Sequence, residues 1–329
     1  MHSADRVGLG LYLSPTAWRA VDQLAKSGCR RRPHGLACRR VRVLVTGDRG
    51  LVGTAVTDAL AAAGYDAVGF DLVDGQDVRD AAALDLAATG CEGVVHLAAV
   101  DEPVDDPGLA QFGPTTTGPG VVVFETNVLG THHVLRAAEH HRMTRVVMMS
   151  SVDVLGCFGG RGRPDYLPLD DEHPCRPTGA YGVSKWLSEQ ACAAFTAATG
   201  VCTVCLRPPG VFTGETYTGI RRARRDNPDF EWSPIWEYGA FLDVRDLATA
   251  VECALTAPLT GHHRLLLCAD DISSANLGSR ALVGQIVPDV PWRGDARYDV
   301  EPFRALLDTT PARTLLGWAP RYRWRGSAS

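Results

Sequence analysis

The stretch from Val41 to Gly53, Val-Arg-Val-Leu-Val-Thr-Gly-Asp-Arg-Gly-Leu-Val-Gly, limits what this chain can fold into more than any other. Its apolar run, broken only by Arg42, leads into Thr46-Gly47. Gly50 and Gly53 follow at three-residue steps, ahead of the Ala-rich run Thr54 to Ala63. The pattern reads as strand, tight turn and helix. A helix that starts over the end of a parallel strand offers free backbone N–H groups and the positive end of its dipole, where a pyrophosphate can sit without side-chain charge. Gly47 permits the turn, Gly50 lets a phosphate approach the backbone, and Gly53 lets the helix pack closely on the strand.

With 329 residues, 45% of them hydrophobic, the chain can bury one large core or two modest ones. A formal charge of -5 supplies no basic surface for nucleic acid or for an anionic membrane. No apolar run approaches the ~18 residues needed to span a bilayer. Residues 1–40 are different in character: they hold Arg30, Arg31, Arg32, Arg39 and Arg40, few acids, and one short apolar run from Val7 to Leu13. They read as a disordered or loosely attached extension.

The cysteines are scattered, and the closest pair, Cys202 and Cys205, falls in a strand-like run, where residues three apart point to opposite faces. Such a pair cannot chelate one metal. The thiols read as buried groups in a reducing compartment, which points to the cytoplasm. The pairs His132-His133, His140-His141 and His262-His263 have no companion ligand at a useful spacing, so no metal is expected.

Further along, Asp66 to Phe70 forms a second strand ending at Asp71. A carboxylate there can hydrogen-bond the adenosine ribose hydroxyls of NAD and would repel the extra phosphate of NADP. Arg49, inside the glycine turn, pulls the other way, because it could grip a 2′-phosphate; NAD remains the expected cofactor over NADP. Asp77-Val78 can meet the adenine edge. Gly93 to Ala99 reads as a third strand, buried on both faces, whose small Ala98 and Ala99 let a cofactor ribose pass. Pro103 to Gly120 reads as a surface loop, and Val121 to His141 as a helix carrying Asn127. A fourth strand, Arg145 to Met149, delivers Ser150-Ser151 at its carboxyl end, where open α/β sheets place their chemistry.

A polar, proline-rich loop from Gly156 to Pro177 precedes Tyr181-Gly182-Val183-Ser184-Lys185, which opens a helix expected to run to about Thr199. Four residues apart, Tyr181 and Lys185 share one helical face. A lysine near a phenol favours the phenolate and lowers its pKa, as a general base for an alcohol requires. Of the 33 Lys and Arg residues only Lys26 and Lys185 are lysine, so the single lysine after the extension falls at this spacing.

Together these residues resemble the extended short-chain dehydrogenase/reductase family, in its NAD-dependent epimerase/dehydratase group. The matching pieces run in the family's order from Val41 to about Trp324: Thr46 to Gly53, Asp71, His96 to Ala99, the Glu125 to Thr131 segment around Asn127, Ser150 to Gly156, Tyr181 to Lys185, Leu206 to Gly214, the Phe241 to Ala248 run, and Leu315 to Pro320. The resemblance implies that Ser151 hydrogen-bonds the reacting oxygen, that Tyr181 is the catalytic acid/base, and that Lys185 holds the nicotinamide ribose and tunes Tyr181. The expected cofactor contacts are Gly47, Arg49, Gly50, Leu51, Val52, Gly53, Asp71, Asp77, Val78, Leu97, Ala98, Ala99, Asn127, Tyr181, Lys185, Pro208 and Val211.

Departures from the family pattern bear on the substrate. Family dehydratases carry Thr-Asp-Glu where this chain has Ser151-Val152-Asp153, which disfavours dehydration. Family epimerases often carry Tyr at the position of Leu155. Members that bind nucleotide sugars tend to have Asn at Gly210 and an Arg where Tyr238-Gly239-Ala240 stands. The basic run Arg221, Arg222, Arg224 and Arg225 reads either as a solvated face or as a grip for a substrate phosphate or carboxylate. The short Val211 to Gly239 region, with Trp232 to Trp236, resembles compact members acting on smaller sugars and sugar acids; tryptophan faces stack on sugar rings as readily as they pack a core or a dimer contact.

The expected fold is a doubly wound parallel α/β sheet, a Rossmann domain over 41–210 to which 240–270 return, with a small mixed substrate lobe from 211–239 and 271–329. The expected function is NAD-dependent oxidoreduction at a secondary hydroxyl of a sugar or sugar derivative, by an epimerase or a dehydrogenase, with a homodimer as the assembly. The alternatives are a nucleotide-sugar 4-epimerase and a non-catalytic NAD(P)-sensing regulator. Intact Ser151, Tyr181 and Lys185 argue against the regulator.

Overall fold

The computed structural model describes residues 40–101, 119–158, 162–231 and 237–326; the extension, most of the Pro103–Gly120 loop and the Trp232 to Trp236 stretch fall outside the described residues. Residues Arg40–Ser329 group as one compact unit. Strands β1 (Arg42–Thr46), β2 (Asp66–Phe70), β3 (Gly93–His96), β4 (Arg145–Met149), β5 (Cys202–Arg207) and β8 (His262–Leu266) form a six-stranded sheet in the order β2-β1-β3-β4-β5-β8. Every pair in it is parallel. The chain leaves β1 for β2 on one side and later returns to β3 on the other, so the strand order reverses between β1 and β3. In open α/β sheets that reversal opens a crevice at the carboxyl ends of the strands.

Alternation along the strands divides the core between the two sheet faces. Val43, Val45, Val204 and Leu206 pack on one face with α1 (Leu51–Ala62) and α7 (Val244–Thr256). Leu44, Val94, Val146, Met148 and Cys205 pack on the other with α2 (Ala81–Ala87), α4 (Gly130–His140) and α5 (Gly179–Thr199). Cys202 joins the first cluster and Cys205 the second. The two thiols therefore sit on opposite faces, and all eight cysteines among the described residues are free.

Two stretches differ from their expected form. The Val121 to His141 helix is divided into α3 (Pro119–Phe124), a π-helical turn (Glu125–Leu129) and α4, with Asn127 inside the π turn. A π turn adds a residue to the helical repeat and re-aims the side chains it carries, which is why such turns gather at functional sites. The Gly156 to Pro177 segment, expected as a polar loop, buries Cys157, Phe158, Leu167 and Leu169 completely or nearly so. These residues form a third cluster with Tyr238, Ile272, Leu282 and Leu306. Residues from 152–169, on the side of 211 expected to belong to the Rossmann domain alone, therefore share a core with residues from 238–307. Isolated bridges from Leu167 to Trp292 and from Leu169 to Leu307 fix that segment to the C-terminal region.

Beyond the six-stranded sheet lie β6 (Val211–Phe212) paired in parallel with β7 (Leu242–Asp243), α6 (Gly214–Asp226), α8 (Ser279–Ile286), α9 (Arg297–Val300) and α10 (Thr310–Leu316), of which Leu242 and the Ala312 and Leu316 side chains of α10 pack into the first sheet-face cluster. The Arg run on α6 is partly spent internally, since Arg224 donates to the carbonyls of Phe230 and Ser273. Among the histidine pairs, His133 bonds the Val78 carbonyl at 3.1 Å and His262 the Thr203 hydroxyl at 2.8 Å. The His140-His141 pair does have a companion acid, Asp85, brought to it by the packing of α2 on α4.

Candidate active site

The glycine turn is built as its spacing requires. Gly47 has φ of 73°, the left-handed region that glycine enters without strain, and a Cβ there would lie 2.7 Å from the Ala98 nitrogen. A Cβ at Gly53 would overlap the carbonyl oxygen of Gly47. Gly50 faces more open space and is the N-cap of α1 with no side-chain cap. The first N–H groups of α1, on Leu51, Val52 and Gly53, precede the first intrahelical donor, Thr54, which reaches the Gly50 carbonyl at 2.9 Å. An uncapped helix start in a cradle that side chains would fill fits a pyrophosphate.

The cleft beside this turn holds about 770 Å³ and is lined by Gly47, Gly50, Asp71, Asp77, Val78, Leu97, Ala98 and Ala99 among others. Asp71 Oδ2 accepts from the Arg49 backbone N–H at 3.0 Å, and Oδ1 accepts from the Val73 N–H at 2.9 Å. Two lone-pair sites remain for ribose hydroxyls. The Arg49 guanidinium, which pulled toward NADP in sequence, is turned onto Asp74 with Nε to Oδ2 at 2.9 Å. Asp77 is held by Arg79, whose hydrogen bonds keep its carboxyl below the ordinary range against the upward push of burial.

Ser151, Tyr181 and Lys185 converge at the carboxyl end of β4. The Lys185 ammonium lies 5.5 Å from the centre of the Tyr181 ring and donates to the Met149 carbonyl at 2.8 Å. Ser151 Oγ donates to Asp153 Oδ2 at 2.8 Å and also lies within hydrogen-bond reach of the Tyr181 phenol, whose ionised form it favours only when its single proton turns from Asp153 to the phenol oxygen. Burial pushes Lys185 down to about 8, with Asp101 opposing. The phenol does not show the expected lowering. Burial first, then the carboxylates of Asp101 and Asp153, push Tyr181 above its ordinary range. Desolvation of a buried oxyanion is the largest cause, and the Lys185 ammonium is turned toward the Met149 carbonyl.

Beneath these groups lies a polar seam. His96 bridges the Thr46 hydroxyl at 2.7 Å and the Thr131 hydroxyl at 3.1 Å, and burial, reinforced by Lys185, drives it down to about 3. Asn127 accepts from the Val100 N–H at 2.8 Å and donates to the Val100 carbonyl and to Ser184 Oγ, each at 2.9 Å. Its amide is thus spent on tying the exit of β3 to α5, rather than turned into the cleft. Glu189, one turn after Lys185 on α5, accepts two hydrogen bonds from Arg207 and one from Ser150, and both charged side chains are 0% exposed.

The model of the NAD dependent epimerase/dehydratase family matches residues 43–267, most of the chain. The chain belongs to that family. A putative UDP-glucose 4-epimerase of Methanocaldococcus jannaschii is 27% identical over 312 residues, covering 84% of this chain and 93% of its own length. A uronate dehydrogenase of Agrobacterium fabrum is 30% identical over 113 residues, covering 34% of this chain and 36% of its own. Among solved structures, a short-chain dehydrogenase/reductase superfamily protein from Agrobacterium tumefaciens with bound NAD aligns with a TM-score of 0.62 at 23% identity, covering 86% of this chain and 93% of that one. This chain is therefore an NAD-dependent enzyme of the epimerase/dehydratase family with the Rossmann-like fold of its neighbours.

In this epimerase/dehydratase chain, several residues that line the cleft carried no sequence signal: Phe70, Leu72, Val73, Gln76, Arg79, Val100, Val122 and Thr126. They come from the turn after β2, the exit of β3 and the α3–π region, where contact depends on chain reversal and not on periodicity. Arg49, Leu51, Val52, Gly53, Asn127, Tyr181, Lys185, Pro208 and Val211 do not line it. Leu51 to Gly53 stand behind it as the first turn of α1, and the Pro208 carbonyl accepts from the Val152 N–H at 3.2 Å. Asp101 and Asp153 belong to the charge balance of Tyr181, and neither was singled out as a site residue.

Proposed function

We propose that the enzyme oxidises a secondary hydroxyl of a sugar or sugar derivative with NAD, using Ser151, Tyr181 and Lys185. The observation that carries this reading is the buried Lys185 ammonium set beside the Tyr181 ring at the carboxyl end of β4, with Ser151 on the phenol. Bound NAD supplies the hydride acceptor and, when oxidised, a positive charge near the phenol. Gly47, Gly50 and the first turn of α1 hold the pyrophosphate, and Asp71 the adenosine ribose. Lys185 keeps two N–H donors beyond the one given to Met149, and these suit the second ribose. Tyr181 takes the proton of the substrate hydroxyl as its carbon is oxidised. The Ser151 hydroxyl turns from Asp153 to the substrate oxygen and stabilises charge there.

The relatives include both a 4-epimerase and a uronate dehydrogenase, and the two activities share this first step. The purified chain, incubated with NAD and a panel of sugars, sugar acids and nucleotide sugars, is followed for NADH by absorbance and for epimers by NMR. NADH formation identifies a dehydrogenase, and epimer without net NADH an epimerase; neither product from any substrate class overturns the reading. A homodimer is supported by the exposed Val121, Phe124 and Leu129 on α3 and the π turn, at 37%, 40% and 43% exposure, which size-exclusion chromatography with light scattering tests. The free thiols favour a reducing, cytoplasmic setting.

A further inference from the structure

Three metal-binding side chains meet outside the cleft. Asp85 lies on α2, His140 ends α4 and His141 caps it. The donor atoms all fall within 4.8 Å of one another. His140 Nδ1 is 2.7 Å and His141 Nε2 3.2 Å from the same oxygen, Asp85 Oδ1, and the two rings are 4.7 Å apart. A tetrahedral ion with bonds of ~2.0–2.2 Å separates neighbouring donors by about 3.3–3.6 Å. The His141 separation falls just short of that spacing, and the His140 separation needs to open by roughly 0.6–0.9 Å. The His140 side chain is 68% exposed and that of Asp85 41%, so a hydrated cation reaches them without unfolding.

We propose that Asp85, His140 and His141 form a surface site for a divalent cation of the zinc class, with water completing the coordination. Two imidazoles and one carboxylate suit Zn²⁺, Co²⁺, Ni²⁺ or Cu²⁺ better than Mg²⁺ or Ca²⁺, which prefer oxygen alone. Without metal, the inner nitrogens donate to Asp85, and His141 also reaches the Asp85 carbonyl at 2.9 Å. A neutral imidazole frees its inner nitrogen by carrying its proton on the other one. The existing hydrogen bonds thus hold the two imidazoles gathered on one carboxylate oxygen, with all three donor atoms within 4.8 Å of one another. The bound cation staples α2 to the end of α4. Helix α2 begins directly after Asp77–Arg79 in the cleft wall, and α4 grips that wall through His133 and the Val78 carbonyl. The cation's role is to brace the wall, apart from the catalytic chemistry.

The test uses the full chain without an affinity tag, stripped with EDTA and desalted. It is titrated with ZnCl₂ by calorimetry and with CoCl₂ by visible absorption. One equivalent of zinc should bind, cobalt should give bands of nitrogen and oxygen ligands without a thiolate charge-transfer band, and zinc should raise the melting temperature. Loss of groups behind a metal ligand weakens metal binding ~10–100-fold, so loss of a ligand itself, in His140→Gln or Asp85→Asn, should weaken it by about 100-fold or more. His132→Gln should bind as the parent does. Far-ultraviolet circular dichroism confirms that each variant folds. No bound equivalent, a thiolate band, or undiminished binding in both His140→Gln and Asp85→Asn overturns the site.

Discussion

Arg207 and Glu189 form a fully buried ion pair between the end of β5 and α5, and removing one partner tests how α5 is held against the sheet. Arg207 Nε and Nη2 meet the two Glu189 oxygens at 2.8 and 2.7 Å, and Ser150 Oγ donates to Glu189 at 2.6 Å. Each bond to a charged group contributes ~1.5–3 kcal/mol. Arg207→Met removes two of the three and leaves a carboxylate buried with only Ser150, so a loss of about 3–5 kcal/mol is expected. Replacing both partners, as Arg207→Met with Glu189→Leu, removes the stranded charge and should recover about 2 kcal/mol of that loss. Urea unfolding followed by circular dichroism measures both. The exposed Arg136–Glu139 pair is the control, with 68% and 47% side-chain exposure, and Arg136→Met should shift stability by no more than about 0.5 kcal/mol. If Arg207→Met shifted stability no more than this control, or if the double variant were worse than Arg207→Met alone, the pair could not be what fastens α5. Because Lys185 and Tyr181 lie four and eight residues before Glu189 on that helix, Arg207→Met should also lower turnover more than it raises KM.

Glycine position decides the sign of two further substitutions. Gly53→Ala drives a methyl into the Gly47 backbone, which cannot swing aside, and should cost about 1–3 kcal/mol in a urea melt and weaken NAD binding by fluorescence titration. Gly219→Ala, mid-helix on α6 with nothing within 4 Å of its Cβ position, should instead stabilise by about 0.5–1 kcal/mol. A pH effect follows from His96. Burial lowers its folded-state pKa from 6.5 to about 3, so the stabilisation of its neutral form is present above 6.5 and drains as pH falls toward 3. Unfolding free energy should drop by about 2 kcal/mol from this group between pH 6.5 and 5, and a His96→Gln variant should lose that slope.

What could be read in the sequence was whatever depends on local spacing. The Gly47, Gly50 and Gly53 steps, the period-two alternation that sends Cys202 and Cys205 to opposite faces, and the four-residue step from Tyr181 to Lys185 all sit within one turn or one strand. What could not be read depends on partners far along the chain. Leu167 and Leu169 lie in a polar, proline-rich run, and only the C-terminal region, through Trp292 and Leu307, gives them something to pack on. Asp85 stands 55 residues before His140, so no linear motif joins them. Helical spacing puts Asn127 on the Val121 to His141 run, but the π turn that carries it aims its amide at Val100 and Ser184. The lysine four residues on points to a lowered phenol, whereas burial and the carboxylates of Asp101 and Asp153 set its direction upward.

Turnover and NAD affinity measured side by side in Tyr181→Phe test the proposed chemistry most directly. The substitution removes one oxygen from a ring that packs by the Lys185 ammonium, so the fold and the glycine cradle should be untouched. General acid–base catalysis contributes ~10²–10⁴-fold, and turnover of the best substrate should fall by at least that range while the NAD dissociation constant stays within about threefold. Turnover equal to the parent's, with NAD bound as before, would show that the proton leaves by another group and that Tyr181 is not the base.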